Sequence, residues 1–236
     1  RKTANKAILA SLNHWLEDWS QHNPVNLGIN WKCGQEASIR VMHLCLTSFL
    51  LQQHKALSRS LITMLEQHLA RISPTVWYAM AQDNNHGTSE AAALFMGGLL
   101  LENNTHSRQS TKWLNQGRYW IENRVKRLIS NDGSFSQHSV NYHRLMLDSL
   151  SLAEFFRREF AEREFSGATL GRLQLATDWL RVFTNETNGD APNLGANDGA
   201  RLMPLSNTDY RDYRPSVQLA SVLFHRKRAY PGDGAF

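Results

Sequence analysis

Asp83-Asn84-Asn85-His86-Gly87-Thr88-Ser89-Glu90 is a run of polar residues and one glycine set between two apolar segments. Val76-Trp77-Tyr78-Ala79-Met80-Ala81 precedes it and Ala91-Ala92-Ala93-Leu94-Phe95-Met96 follows. Thr88 or Ser89 suits the cap of a helix running from about Ser89 to Glu102, which puts Glu90 in the first turn, where the helix dipole favours a carboxylate. Asn85 and His86 then project from the end of a loop onto a helix N-terminus, a usual place for a polar site. A capped interhelical loop whose polar side chains satisfy backbone groups accounts for the same residues.

Outward from this stretch the apolar residues repeat with helical period. Ile8, Leu9, Leu12, Trp15, Leu16 and Trp19 predict a helix over 4–20, ended by Asn23-Pro24. Residues 26–34 read as a loop holding Trp31. Helices are expected over 35–52, 57–72, 110–129, 140–160 and 170–183, with Asn131-Asp132-Gly133-Ser134 as a strong turn. Residues 185–204 form a long loop rich in glycine and asparagine, and 210–226 show weaker helical periodicity. No segment alternates with period two, so the chain is expected to be all-α. Successive helices joined by polar loops suggest antiparallel hairpins coiling into an incomplete (α/α) toroid, although a plain bundle satisfies the same pattern.

The 236 residues suit one large domain. The 26 Lys+Arg against 21 Asp+Glu give +5, which fits an acidic partner such as nucleic acid, an anionic lipid surface or an acidic polysaccharide. The basic residues are dispersed and form no helix-turn-helix or zinc pattern, which argues against nucleic acid. Cys33 and Cys45 are too few for a disulfide framework, and Cys45 lies in an apolar run as a buried thiol would. No apolar run approaches the roughly 20 residues needed to span a bilayer, and no signal peptide is evident. The opening at Arg1 and the tail Pro231-Gly232-Asp233-Gly234-Ala235-Phe236 suggest a piece of a longer protein, with residues 1–228 as the domain and 229–236 as a linker.

Two further stretches carry polar groups. In Asp132-Gly133-Ser134-Phe135-Ser136-Gln137-His138-Ser139-Val140-Asn141-Tyr142-His143-Arg144 a turn leads into a helix. His138 and Tyr142, four apart, would share a face, and a cationic neighbour would depress the tyrosine pKa toward use in proton transfer. A half-buried tyrosine with a satisfied hydroxyl is the plainer account. Asn193-Leu194-Gly195-Ala196-Asn197-Asp198-Gly199-Ala200-Arg201 reads as a tight turn that lets the backbone approach something closely.

The order Asn-Asn-His-Gly, then Asp-Gly-Ser-Phe with Gln-His-Ser and Tyr-His-Arg, then Gly-Ala-Asn-Asp-Gly resembles the heparinase II/III-like polysaccharide lyases over roughly residues 26–205. Trp31 and Gln35-Glu36-Ala37-Ser38-Ile39-Arg40 are similar to that family as well. The Asn-His and Tyr-His pairs, 142 − 85 = 57 positions apart, are the specific part. The resemblance implies an (α/α) toroid followed by a β-sandwich, and β-elimination at a uronic acid. It implies Asn85, with His86 beside it, neutralising the substrate carboxylate, and Tyr142 as acid and in some members also base. His143 and Arg144 would lower the Tyr142 pKa or bind a neighbouring acidic sugar. Trp31, Glu36 and Arg40 would form the floor, and Glu90, His138, Asn197 and Asp198 would complete the substrate-binding set. The family commonly draws another catalytic His or Tyr from its β domain, which this chain lacks. No cofactor is implied. No metal is either, although His86 and Glu90 have an i, i+4 ligand spacing. The expected partner is an acidic polysaccharide, and the expected location is periplasmic or secreted in a bacterium. Two other readings fit: an (α/α) glycoside hydrolase using Glu36 with Asp198 or Glu90, and a non-catalytic helical module that holds anionic glycan.

Overall fold

The computed structural model describes residues 6–231. Within them run α1 (Lys6–His22), α2 (Gly34–Leu50), α3 (Arg59–Ile72), α4 (Val76–Ala81), α5 (Asn85–Thr105), α6 (Arg108–Leu128), α7 (Val140–Glu159), α8 (Gly167–Phe183) and α9 (Arg214–Ala220). Short 3-10 turns lie at Ile29–Trp31 and Ser73–Thr75, and a π turn at Ser221–His225 extends α9. Among the described residues the strand-type pairing is a single bridge between Ile129 and Phe135. The chain is all-α, as its periodicity predicts.

Serines set four of the helix starts. Ser58, Ser107, Ser139 and Ser166 each accept, through the side chain, the backbone N–H three residues on. This satisfies one of the donors that a helix N-terminus leaves open. The helix that matters most begins earlier than its sequence suggests. The N-cap of α5 is Asn84, whose side chain accepts from His86 N, and neither Thr88 nor Ser89 caps it. Asn85 and His86 are therefore its first two residues rather than loop residues, and Glu90 lies in its second turn. The cause is the preceding turn. Asp83 takes a left-handed φ of 48° and its carboxylate receives Arg124 (2.9 Å) and Arg127 (2.6 Å) from α6. That clamp fixes the chain direction eight residues before the apolar run.

Helix α5 is buried on nearly every side from Gly87 to Leu101, as a central helix must be. It packs on α2, α3, α4, α6 and α7. A Cβ at Gly98 would lie 2.4 Å from Leu114 N, and one at Gly117 would lie 2.2 Å from Phe95 N. Partner numbers rise on α6 as they fall on α5, so these two helices form an antiparallel hairpin at close approach. Toward α2 the offset is constant: Gly34 meets Glu90 and Gly97 meets Val41, so α2 and α5 run parallel. One continuous apolar core runs from α2 to Tyr230. Ala229 and Tyr230, expected as the start of a linker, are buried, and their N–H groups donate to Gln218 Oε1 at 3.0 and 3.1 Å. Residues 232–236 lie outside the described residues.

Candidate active site

Parallel packing brings the N-termini of α2, α5 and α7 to one end of the layer. Gln35 Nε2 on α2 donates to Ser89 Oγ on α5 at 3.1 Å. The turn entering α7 rests on the start of α5: Gln137 Oε1 accepts from Asn85 N at 2.8 Å, and Ser136 Oγ donates to the Asp83 carbonyl at 3.0 Å. Positive dipole ends thus converge where the polar stretches meet.

Asn85 is only 4% exposed, yet no described residue hydrogen-bonds its side-chain amide. The His86 ring, half-buried beside it, is likewise without a protein partner. Burial pulls its pKa below the ordinary histidine value, so it is neutral at neutral pH. One turn on, Glu90 is 4% exposed and its Oε2 has no partner. Burial raises this carboxyl to about 8, with Arg71 pulling the other way. Unpartnered polar groups in such confinement are costly unless something else satisfies them.

Tyr142 occupies the third position of α7, half-buried, and its hydroxyl donates to Asp198 Oδ2 at 2.6 Å. The expected depression of its pKa is reversed. The adjacent carboxylate accepts the phenol proton and raises the group to about 12. The 193–200 loop that supplies Asp198 is tied to the start of α7. Val140 N donates to Leu194 O (3.1 Å) and Ser139 Oγ to Ala196 O (2.5 Å). Gly195, at φ 72°, lies where a Cβ would sit 2.3 Å from His138 O. Asn141, unnoticed in the sequence, links the same loop: its Nδ2 reaches Asp198 Oδ1 at 3.4 Å, and its Oδ1 accepts from Tyr210 Oη at 2.9 Å. The Tyr210 hydroxyl, with one proton to share between the two acceptors, also lies 2.5 Å from Asn197 Oδ1. No local signal marks Tyr210, because its partner Asn141 is 69 residues away in sequence.

Several expected site residues face elsewhere. His138 precedes the Ser139 cap with a left-handed φ of 49°, so it shares no helical face with Tyr142. It is exposed beside the turn. His143 is wholly buried on the side of α7 that faces α8, its Nε2 bonded to Ala176 O at 2.8 Å and its ring stacked on Trp179. Arg144 is 2% exposed, sandwiched between Tyr210 and Tyr213, and it donates to Tyr210 O, Asn141 Oδ1 and Ala200 O. Consecutive helical residues diverge by about 100°, so one of three neighbours faces the site and two enter the core. Trp31 is 2% exposed, packed on Trp19 and His68, with its indole N–H on Asn23 O, which leaves no ring face for a sugar. Arg40 is spent on Asn30 O, His68 Nε2 and the Trp19 ring, with exposed Glu36 at 4.0 Å. Asn85, His86 and Glu90 therefore share one helix end, with the Tyr142–Asp198 pair on the next helix. No hydrogen bond joins the two sets among the described residues. Nor do three His, Cys, Asp or Glu converge there as a metal site needs.

No family model matches the sequence, and no curated protein matches it. Among solved structures, the crystal structure of heparinase III superposes with a TM-score of 0.66 over 93% of this chain, at 17% identity. The chain spans 33% of that protein's length. The likeness is one of fold: this all-helical chain has the architecture of part of heparinase III, whose N-terminal domain is an (α/α) toroid.

Proposed function

We propose that this chain is the helical portion of a polysaccharide lyase that cleaves a uronic-acid-containing acidic glycan by β-elimination. The observation that carries the reading is the pair of unpartnered groups on the first turn of α5, the Asn85 amide and the neutral His86 ring. They stand at the end where three helix N-termini meet. The C5 proton of a uronate is weakly acidic while its carboxylate is fully charged. An amide N–H aimed at that carboxylate, with the dipole ends behind it, stabilises the enolate-like transition state. Tyr142 then protonates the departing O4. Glu90, protonated at neutral pH, offers a donor rather than a competing charge. The fold likeness to heparinase III supports the same reading. A further segment of the polypeptide, of β-sandwich type, would supply the remaining catalytic group. A polymeric acidic substrate implies a periplasmic or secreted protein.

Ultraviolet absorbance of the unsaturated uronate tests this directly. Full-length protein and this chain would be incubated with alginate, heparan sulfate, hyaluronan and glucuronan. Absorbance should rise with at least one glycan and fall by two to four orders of magnitude in Asn85→Ala and Tyr142→Phe, the usual weight of such groups. New reducing ends without absorbance would mean hydrolysis instead, and neither signal would leave a binding module.

A further inference from the structure

The Tyr142 hydroxyl makes a short hydrogen bond near the candidate site, and its acceptor comes from a different part of the chain. A phenol has one proton, and here it points at Asp198 Oδ2 over 2.6 Å, a length typical of a strong O–H···O⁻ bond. The acceptor is itself fixed. Asp198 Oδ1 accepts from Ala200 N at 3.1 Å and lies 3.4 Å from Asn141 Nδ2. The loop that carries it is anchored at Leu194 and Ala196 on residues 139–140, so it cannot drift without releasing the start of α7. Asp198 is the charged group that meets the phenol. Arg144 and Tyr210 reach Asn141 rather than Tyr142, and His138 lies outside the helix.

We propose that Asp198 is the positioning residue of Tyr142, fixing the hydroxyl by this hydrogen bond and keeping the phenol protonated, so that Tyr142 enters the reaction as a proton donor. A carboxylate at this distance opposes a second negative charge on the tyrosine. The tyrosine is therefore disfavoured as the base that removes the C5 proton, and that step falls to another group. Asp198 thereby passes from sugar ligand to partner of the tyrosine. The donor role rests on the lyase reading, whereas the effect of Asp198 on the phenol does not.

The two are separated by titrating the phenol without turnover. Tyrosine labelled with carbon-13 at Cζ, with Tyr142→Phe to assign the resonance, reports ionisation in wild type and Asp198→Asn. At about pH 10, the ordinary tyrosine value, the wild-type Tyr142 signal should remain that of the phenol. In Asp198→Asn it should be roughly half that of phenolate, a shift of up to a hundredfold in the ionisation constant. Circular dichroism at the same pH checks the fold. Equal ionisation in the two proteins overturns the proposal. In the full-length protein the alkaline limb of kcat should move toward lower pH in Asp198→Asn. An unmoved limb beside a shifted resonance overturns the donor role while leaving the hydrogen bond. Absence of unsaturated product from wild type sinks the lyase reading and the donor role with it, and the resonance still decides the positioning.

Discussion

Glu90 stands where α2, α3 and α5 close on one another, and its carboxyl shows how a position changes the chemistry of a side chain. Its Oε1 lies where a Cβ on Gly34 would come within 2.3 Å, and its Oε2 has no partner. Desolvation therefore favours the neutral acid and raises the pKa to about 8. The folded chain holds a proton that the unfolded chain releases near the ordinary glutamate value of about 4.3. This contribution to stability is complete below that value and is lost as pH rises through about 8. Asp148, buried on α7 and pushed up to about 7, acts with the same sign. Thermal unfolding of Glu90→Gln should therefore lose less of its midpoint than wild type between about pH 5 and about pH 9. Identical losses would mean that Glu90 is ionised in the folded state. The sequence revealed that Glu90 follows His86 by four, but not that its carboxyl is enclosed. Enclosure comes in part from α2, whose Gly34 abuts the carboxyl.

At the level of elements, helices α5 and α6 are held at backbone contact by two glycines, and here packing opposes intrinsic propensity. Alanine favours a helix interior over glycine by about 1 kcal/mol. Gly117→Ala would place a methyl 2.2 Å from Phe95 N, and Gly98→Ala one 2.4 Å from Leu114 N. Backbone cannot yield as a flexible side chain can, so both should destabilise the chain in urea by about 1–3 kcal/mol or more. Gly171, inside α8, has nothing within 4 Å of its would-be Cβ. Gly171→Ala should instead stabilise by about 0.5–1 kcal/mol. Equal effects at the three positions would refute the close-approach argument. Periodicity made the helices legible because it is a property of neighbours three and four apart. The true start of α5 was not, because the residues that impose it, Arg124 and Arg127, arrive from α6 some forty positions later. The Asn84 that caps it lies four residues before Thr88, the earlier of the two caps the sequence suggests. His143 and Arg144 were misplaced for a related reason: adjacency in sequence does not put helical residues on one face.

Across the whole molecule, the basic excess divides between surface and interior. Arg118 pairs with Glu162, Arg157 and Arg158 with Glu154, Arg211 with Asp190, and Arg214 with Asp212. Much of the positive charge is thus paired within the fold, and a net charge alone does not locate a binding face. Arg144 carries this furthest. It has no carboxylate partner among its hydrogen bonds, and its guanidinium lies between two tyrosine rings at 4.6 and 4.3 Å. Its donors close three acceptors, on α7, on the 193–200 loop and on the segment leading to α9. It therefore couples the loop that carries Asp198 to the helix that carries Tyr142. Arg144→Met retains much of the apolar stem but leaves the Tyr210 and Ala200 carbonyls without their donor. A loss of about 3 kcal/mol is expected, the scale for removing one member of a buried charged hydrogen-bond set. Its distribution is the sharper test. Hydrogen exchange should quicken across residues 193–213 well beyond the global loss of stability, while α5 amides follow the global change alone. Uniform acceleration through α5 and the loop would show Arg144 to be an ordinary core residue, and the candidate site to owe nothing to it.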